Sequence, residues 1–333
     1  LILIDVFQGR WNARSLINKV PYFIYIIPIA ALSFAQNAVV MMVSPALTKA
    51  VLLYTWTLGF YLLKFFCPYP LLALYPEPQP VSFLNISFVL HITVLCLLIL
   101  FLIRFRKNKW FVFAFLYYFV SIFFLMRTED NLSVSFVADR YMYLPSLGIC
   151  LWLGIEFHKY CVNHAKQWMI WTVGISVIVL CAGMTVQQTK IWRNDLSLWN
   201  SVLKHNTSNP IPYVNRGVAY AEAGDYQNAL ADYRKAMQLD FKYVKTYVNL
   251  GNLYIYYKQY SEAMQAYNQA LELDPDNIKA LSNRGGLNQL LGYFELAMAD
   301  YSRAIELNPK FYATYNNRSN LYRKIGKLDE AIE

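Results

Sequence analysis

The last third of this sequence repeats itself every 34 residues, and the repetition falls on small and aromatic residues. The period is carried by Gly217, Gly251 and Gly285, by Tyr233, Tyr267 and Tyr301, by Ala229, Ala263, Ala297 and Ala331, and by Ala236, Ala270 and Ala304. Such a period is typical of a helix pair in which small residues allow close approach and an aromatic ring fills the gap to the next pair. A single pair cannot bury its own apolar face, so the units must stack into a solenoid.

These positions resemble those of tetratricopeptide (TPR) repeats. The repeats then run over 210–243, 244–277, 278–311 and a partial 312–333. Pro275 and Pro309 close two of them, and Ser319 takes the glycine position in the fourth. The sequence therefore predicts a C-terminal TPR α-solenoid.

The basic charge of the chain lies entirely outside the repeats. Residues 1–209 contain 16 Lys and Arg against 7 Asp and Glu, which accounts for the whole net charge of +9, while 210–333 contain 14 of each. The chain is 57% hydrophobic and only 15% charged, far from an average soluble protein. The basic excess is therefore typical of loops at a membrane surface, and no nucleic-acid partner is expected.

Apolar runs in the first part of the chain are long enough, or almost long enough, to cross a bilayer core, which takes about 20 helical residues. Six are predicted, at 20–38, 46–66, 83–103, 110–126, 143–158 and 167–187. Together with the repeats they predict an all-α fold, a polytopic transmembrane bundle followed by the solenoid.

The sidedness of this bundle is not settled by charge. Arg104, Arg106, Lys107 and Lys109 form the densest basic loop and favour the cytoplasm, which puts the chain after residue 187 on the opposite side. The basic residues near the start of the sequence, between 10 and 19, disagree with that assignment.

The segment ADRYMYLPSLG, residues 138–148, places an acid and an arginine at the mouth of an apolar run. Arg140 offers a fixed fork of donors that suits a phosphate, and Asp139 can neutralise or orient it. Tyr141 and Tyr143 have apolar rings and polar tips, which suit a membrane interface. Two interpretations stay open from the residues alone: a lipid-phosphate site, or a salt bridge and aromatic belt that anchor a helix.

Five stretches, taken in order, carry a resemblance that covers nearly the whole chain. They are KVPYFIYIIPIAALSFAQ (19–36), YLLKFFCPYPLLALYPEP (61–78), ADRYMYLPSLG, WRNDLSLW (192–199) and the TPR array. In this order they resemble the bacterial relatives of the transmembrane and TPR-containing protein O-mannosyltransferases, polytopic glycosyltransferases of the lipid-phosphosugar-dependent (GT-C) type. By this resemblance residues 1–187 form the C-terminal part of the transmembrane domain, and the chain is expected to be truncated at both ends.

The resemblance implies transfer of mannose from a polyprenyl-phosphate carrier to protein hydroxyls, on the non-cytoplasmic side of a bacterial inner membrane or an ER membrane. It places Arg140, Asp139, Tyr141 and Tyr143 at the lipid-phosphate end of the donor site, with the Tyr75 loop in its external wall. The catalytic acid of such enzymes is expected upstream, so no residue here is assigned to catalysis. Neither a cofactor nor a metal is implied. The alternative is a non-catalytic, membrane-tethered TPR scaffold.

Asparagine also recurs with the 34-residue period, at Asn215, Asn249, Asn283 and Asn317, two residues before the small position. First helices line the inner face of such a solenoid, where amides can bond the backbone of an extended peptide. The pattern resembles the asparagine ladder of the nucleocytoplasmic O-GlcNAc transferase, which grips acceptor protein. The alternative is that asparagine is merely tolerated at a solvated position and spread by duplication.

Residues 188–209 form an amphipathic connector between the two parts. Trp192 and Trp199 are seven residues apart, with Leu196 between them at helical spacing. The connector is expected either to anchor at the membrane or to dock the repeats onto the bundle.

The sequence offers no motif for soluble enzyme chemistry: no P-loop, no HExxH and no glycine-rich dinucleotide turn. Five cysteines show no CxxC spacing, so no metal site is predicted. His91 lies inside an apolar run, where an ionisable residue is either functional or a neutral imidazole bonded to a neighbouring helix. A transporter is disfavoured because no inverted repeat is visible.

Overall fold

Thirteen α-helices run through the described residues, and the predicted all-α fold class is confirmed. The structure is a computed structural model that describes residues 46–75, 81–82, 84–123, 137, 142–163, 167–329 and 331 of the 333. The chain divides into two compact units, Leu1–Lys190 and Ile191–Glu333.

The first unit contains five described helices. They are α1 Ala46–Phe66, α2 Ile86–Arg104, α3 Lys109–Phe123, α4 Tyr143–Asn163 and α5 Gln167–Ile191.

Two of these helices, not six, are long and apolar enough to cross a membrane: α2, and α5 from Trp171 to Ile191. The prediction of six spans is therefore corrected for the described residues, and the run 20–38 lies outside them. α3 has 15 residues, about 22 Å of helix against a hydrocarbon core of about 30 Å. The apolar part of α1, Val51–Phe66, is also short, and α4 carries the ion pair of Glu156 and Lys159.

Helices α3 and α4 pack antiparallel through a glycine contact. A Cβ on Gly148 would lie 2.9 Å from the carbonyl oxygen of Ala114, so the two backbones approach where no side chain intervenes. Toward the other end of the pair, Asn108 Nδ2 donates to Glu156 Oε1 at 3.1 Å, and Lys159 Nζ donates to the same oxygen at 2.8 Å. The basic loop after α2 and the end of α4 therefore meet at one end of the helix pair.

Aromatic rings from several helices form the core of the first unit. Trp56 and Phe60 of α1 are buried, with ring centroids 5.0 Å apart, and Tyr118 Oη of α3 donates to the carbonyl of Leu58 at 2.6 Å. His91 of α2 is buried in contact with Trp56, at 5.4 Å between rings. Because its apolar side chains pack inside the protein, α1 contributes to this core over much of its length.

The outward faces of α2 and α5 are apolar and exposed. In α5 none of the residues in the most apolar stretch is buried within the described structure. Exposed apolar surface on this scale is typical of a face covered by lipid or by another protein.

The second unit contains eight described helices. They are α6 Asp195–His205, α7 Pro210–Glu222, α8 Tyr226–Leu239, α9 Val244–Tyr256, α10 Tyr260–Leu273, α11 Ile278–Leu291, α12 Phe294–Leu307 and α13 Tyr312–Lys324.

Each periodic glycine lies against the tyrosine sixteen residues later. A Cβ on Gly217 would lie 2.6 Å from the ring of Tyr233, and a Cβ on Gly251 would lie 2.5 Å from the ring of Tyr267. Both rings are fully buried, so each occupies the space that the missing side chain leaves. The TPR-like solenoid predicted from the period is confirmed, since the periodic residues are the contacts between paired helices.

Helix α6 precedes the first repeat and shares its register. Val202 is fully buried, and α6 packs on α7 as the second helix of each repeat packs on the next first helix. Asn206 ends α6 and accepts from the backbone N–H of Ser208, as Asp240, 34 residues later, accepts from that of Lys242. α6 therefore stands where the second helix of a preceding repeat would be.

Candidate peptide-binding face of the repeat array

The first helices of the repeats, α7, α9, α11 and α13, form one continuous layer. Each approaches the first helix of the next repeat, whereas the described second helices do not approach one another to a comparable extent. In a curved solenoid the more closely spaced layer is the inner one. The inner face of this array is therefore made by the first helices.

The predicted asparagine ladder lies on this layer, and two of its amides bond sideways to the preceding first helix. Asn283 Nδ2 donates to Asn252 Oδ1 at 2.8 Å. Asn317 Nδ2 donates to Ser282 Oγ at a longer 3.4 Å. These side chains join neighbouring repeats and also keep their carbonyl oxygens as acceptors.

The other two ladder residues differ from this arrangement. Asn215 Oδ1 accepts from Lys245 Nζ at 3.2 Å, while the amide nitrogen of Asn249 is buried and has no hydrogen-bond partner among the described residues. In α7 the positions equivalent to Asn252 and Ser282 hold Val218 and Val214, which offer no acceptor. The ladder thus contains one unsatisfied donor, which a bound carbonyl or carboxylate would satisfy.

A polar cluster that sequence reasoning missed joins the first repeat to α6. Arg216 donates to both carboxylate oxygens of Asp232 at 2.7 Å and, through Nη1, to Asn200 Oδ1 at 2.7 Å. The hydrogen bonds with Asp232 raise the pKa of Arg216. In the second repeat Leu250 and Ala266 take the positions of the arginine and the aspartate, so the fold accepts an apolar pair there.

The third repeat contains the same cluster. Arg284 donates to both oxygens of Asp300, at 3.0 and 2.6 Å, and to Asn268 Oδ1 at 2.8 Å. Asn288 Nδ2 adds a further bond to Asp300 at 3.1 Å. All three cluster residues recur with a spacing of 68, twice the repeat, which was the signal available in the sequence.

The predicted donor-site residues are only partly described. Asp139, Arg140 and Tyr141 lie outside the described residues. Tyr143 begins α4 and is 76% exposed. Tyr75 is 6% exposed, and the described residues do not bring it together with Tyr143.

The loop after α1 is folded around Tyr75. Its hydroxyl accepts from the N–H of Leu72 at 2.9 Å and donates to the carbonyl of Pro70 at 3.3 Å. Lys64 Nζ donates to that same carbonyl at 2.6 Å and lies 5.5 Å from the Tyr75 ring centroid. Gln188 of α5 donates to the carbonyl of Leu71 at 3.0 Å. The hydroxyl of Tyr75 therefore organises this loop.

Within the described part of the chain, no group of three or more His, Cys, Asp or Glu side chains is placed to hold a metal ion.

Family models of the tetratricopeptide repeat match the C-terminal part of the chain. The matched residues are 210–243, 244–277, 278–311 and 300–333.

Curated relatives point to one class of enzyme. The chain is similar to the Protein O-mannosyl-transferase F38B6.6 of Caenorhabditis elegans, with 31% identity over 121 residues, covering 36% of this chain and 17% of that protein. It is also similar to the Protein O-mannosyl-transferase Tmtc3 of Drosophila melanogaster, with 27% identity over 105 residues, covering 31% and 11%. The match covers less than a fifth of the length of these relatives, and it lies in the repeats.

Solved structures similar to the chain are TPR proteins. The thermophilic TPR protein TTC0263 of Thermus thermophilus is 24% identical, with a TM-score of 0.39, over 44% of this chain and 82% of that chain. The first TPR of Spaghetti (RPAP3), bound to the HSP90 peptide SRMEEVD, is 26% identical, with a TM-score of 0.34, over 36% and 96%.

Proposed function

We propose that this chain belongs to a membrane glycosyltransferase that moves mannose from a polyprenyl-phosphate carrier to hydroxyls of a protein recruited by the TPR array. The supporting observation is the similarity to Protein O-mannosyl-transferases in a chain that also carries helices long and apolar enough to cross a membrane. The array lies on the non-cytoplasmic side of a bacterial inner membrane or ER membrane, where a polyprenyl-linked sugar is presented.

The donor-binding end of this enzyme is the segment around Arg140. A guanidinium binds a phosphate through two parallel hydrogen bonds, and Asp139 orients it. Tyr141 and Tyr143 line the approach, and the exposed position of Tyr143 at the start of α4 leaves its side chain accessible to a lipid headgroup. The folded loop at Tyr75 forms a wall of the same site.

The test is a transfer assay in membranes that contain the protein at its full natural length. Labelled polyprenyl-phosphomannose is supplied, and label on protein is measured for the wild type, Arg140→Ala and Arg140→Lys. Arg140→Ala is expected to abolish transfer, and Arg140→Lys to restore only part of it, because an ammonium lacks the paired donors. Arg106→Ala is the matched control, since Arg106 is an exposed arginine in the loop after α2.

Normal transfer by Arg140→Ala would remove this segment from the donor site. Equal losses in Arg140→Ala and Arg106→Ala would indicate a general effect of membrane-unit charge. Absence of transfer with any polyprenyl-phosphosugar would remove the enzymatic proposal altogether.

The second candidate function is a membrane-tethered scaffold without catalysis. It is favoured by one observation: the similarity to the curated relatives lies in the repeats. A scaffold would retain a protein partner through its repeats and would transfer no sugar from any donor.

The ladder on the inner face supports peptide binding in either case. The amide of Asn249 lacks a partner, and that of Asn283 bonds only its neighbour, so both can bind a peptide backbone. Asn249→Ala with Asn283→Ala is expected to weaken acceptor-protein binding. The control is Gln227→Ala with Gln265→Ala, two exposed amides on second helices. Unchanged acceptor binding in the ladder variant would leave these asparagines as packing residues.

A further inference from the structure

The charges of the repeat array are segregated between its two helix layers. The four first helices contain seven Lys or Arg residues and a single acid, Glu222. The three second helices α8, α10 and α12 contain six acids and three Lys or Arg residues. Because 210–333 carry equal numbers of both signs, this asymmetry is invisible in the net charge. The inner face of a neutral array is therefore electropositive.

Two of these cations are already neutralised within their own repeats. Arg216 and Arg284 form bidentate ion pairs with the buried carboxylates of Asp232 and Asp300. They serve the packing of the solenoid, so they are set apart from the charges that a ligand could use.

Lys245 and Lys279 are different, because neither forms an ion pair in the described part of the chain. They are 34 residues apart on neighbouring first helices, at the same position of the repeat. Each lies one helical turn before a ladder asparagine, Asn249 or Asn283, and therefore on the same helix face. Burial, and then repulsion by the Lys279 ammonium, lowers the pKa of Lys245, as expected for two cations held close together without a counter-ion.

A third donor lies next to this pair. The buried amide nitrogen of Asn249 has no partner among the described residues, whereas Lys245 Nζ already reaches across to Asn215. Two ammonium groups and an unsatisfied amide N–H form a set of donors with no acceptor. A carboxylate is the protein group that accepts from such a set with the most favourable charge.

We propose that the inner face binds an acidic residue within an extended segment of the recruited protein, its carboxylate held by Lys245, Lys279 and the amide of Asn249. The ladder holds the backbone of the segment, and the lysine pair adds selectivity for a side chain. This inference deepens the recruiting role proposed above and requires no sugar transfer, so a failed transfer assay leaves it standing.

The test uses the whole chain in phosphatidylcholine nanodiscs, which carry no net charge. A fluorescein-labelled peptide of alternating serine and glutamate is titrated by anisotropy, beside a counterpart with glutamine in place of glutamate. The glutamate peptide is expected to bind at least tenfold more tightly. Lys245→Gln with Lys279→Gln is expected to remove that preference.

The matched control is Arg234→Gln with Lys235→Gln. These two exposed residues lie on second helix α8 and change the net charge by the same amount. They are expected to leave the affinity within twofold. An equal loss in both double variants would show long-range attraction only, and equal affinity for the two peptides would refute the carboxylate site. Displacement by phosphatidylglycerol vesicles without peptide binding would assign the face to an anionic membrane.

Discussion

Replacing Gly251 by alanine tests the contact that defines the repeat. The added Cβ would lie 2.5 Å from one ring carbon of Tyr267 and 2.8 Å from two others, where ordinary contact begins at 3.4 Å. The ring cannot move freely, because it is fully buried and its hydroxyl donates to Asn252 Oδ1 at 2.6 Å. One side or the other must therefore shift by about 1 Å.

The magnitude follows from two opposing effects. Overpacking of a well-packed site costs about 3 kcal/mol at the upper end of its usual range. Alanine in place of glycine within a helix returns about 1 kcal/mol. The net loss of local stability is therefore about 2 kcal/mol, which corresponds to about 30-fold faster amide exchange where exchange follows local opening.

The assay is hydrogen exchange of the peptides that cover α9 and α10, with Gly286→Ala as the control. Gly286 is also inside a first helix, but its added Cβ would meet only the Tyr301 hydroxyl oxygen, at 3.7 Å. Gly286→Ala is expected to slow exchange, since it gains helix propensity of about 1 kcal/mol without a clash. Slower exchange in Gly251→Ala, or equal acceleration in both variants, would refute the argument.

Three further outcomes are expected. Arg284→Leu strands the buried Asp300 carboxylate and should lower the stability of the third repeat by about 2–3 kcal/mol in hydrogen exchange, whereas adding Asp300→Ala should recover most of the loss; no recovery would contradict this. Thr246→Val removes a buried hydroxyl without a partner and should be neutral or stabilising in thermal unfolding, while Thr314→Val breaks a buried hydrogen bond and should cost about 1 kcal/mol; the reverse order would be incompatible with these contacts. Burial raises the pKa of Tyr301 from 10.0 to about 12, so the folded array keeps a proton that the unfolded chain releases, and stability should fall as pH rises through that interval; tyrosinate absorbance from folded Tyr301 at its ordinary pKa would argue against it.

Much of the membrane unit was beyond reach of the sequence. An apolar run such as 46–66 has the same composition whether its side chains face lipid or other helices. Trp56 and Phe60 of that run are buried in the core of the unit, while α5 exposes its apolar side chains. Hydropathy reports the cost of contact with water, and both environments avoid it equally.

The 34-residue period determined the repeat fold by itself, because Gly217 and Tyr233 meet within one helix pair and the same short-range contact recurs along the chain. Their spacing is local information that a sequence carries directly. The ladder positions were likewise visible, but the bonds of each amide were not. Asn283 finds an acceptor on the preceding first helix, whereas Asn249 faces positions held by valine. That difference was decided only by tertiary structure, because a side chain's hydrogen bonds depend on which residues the neighbouring helix presents.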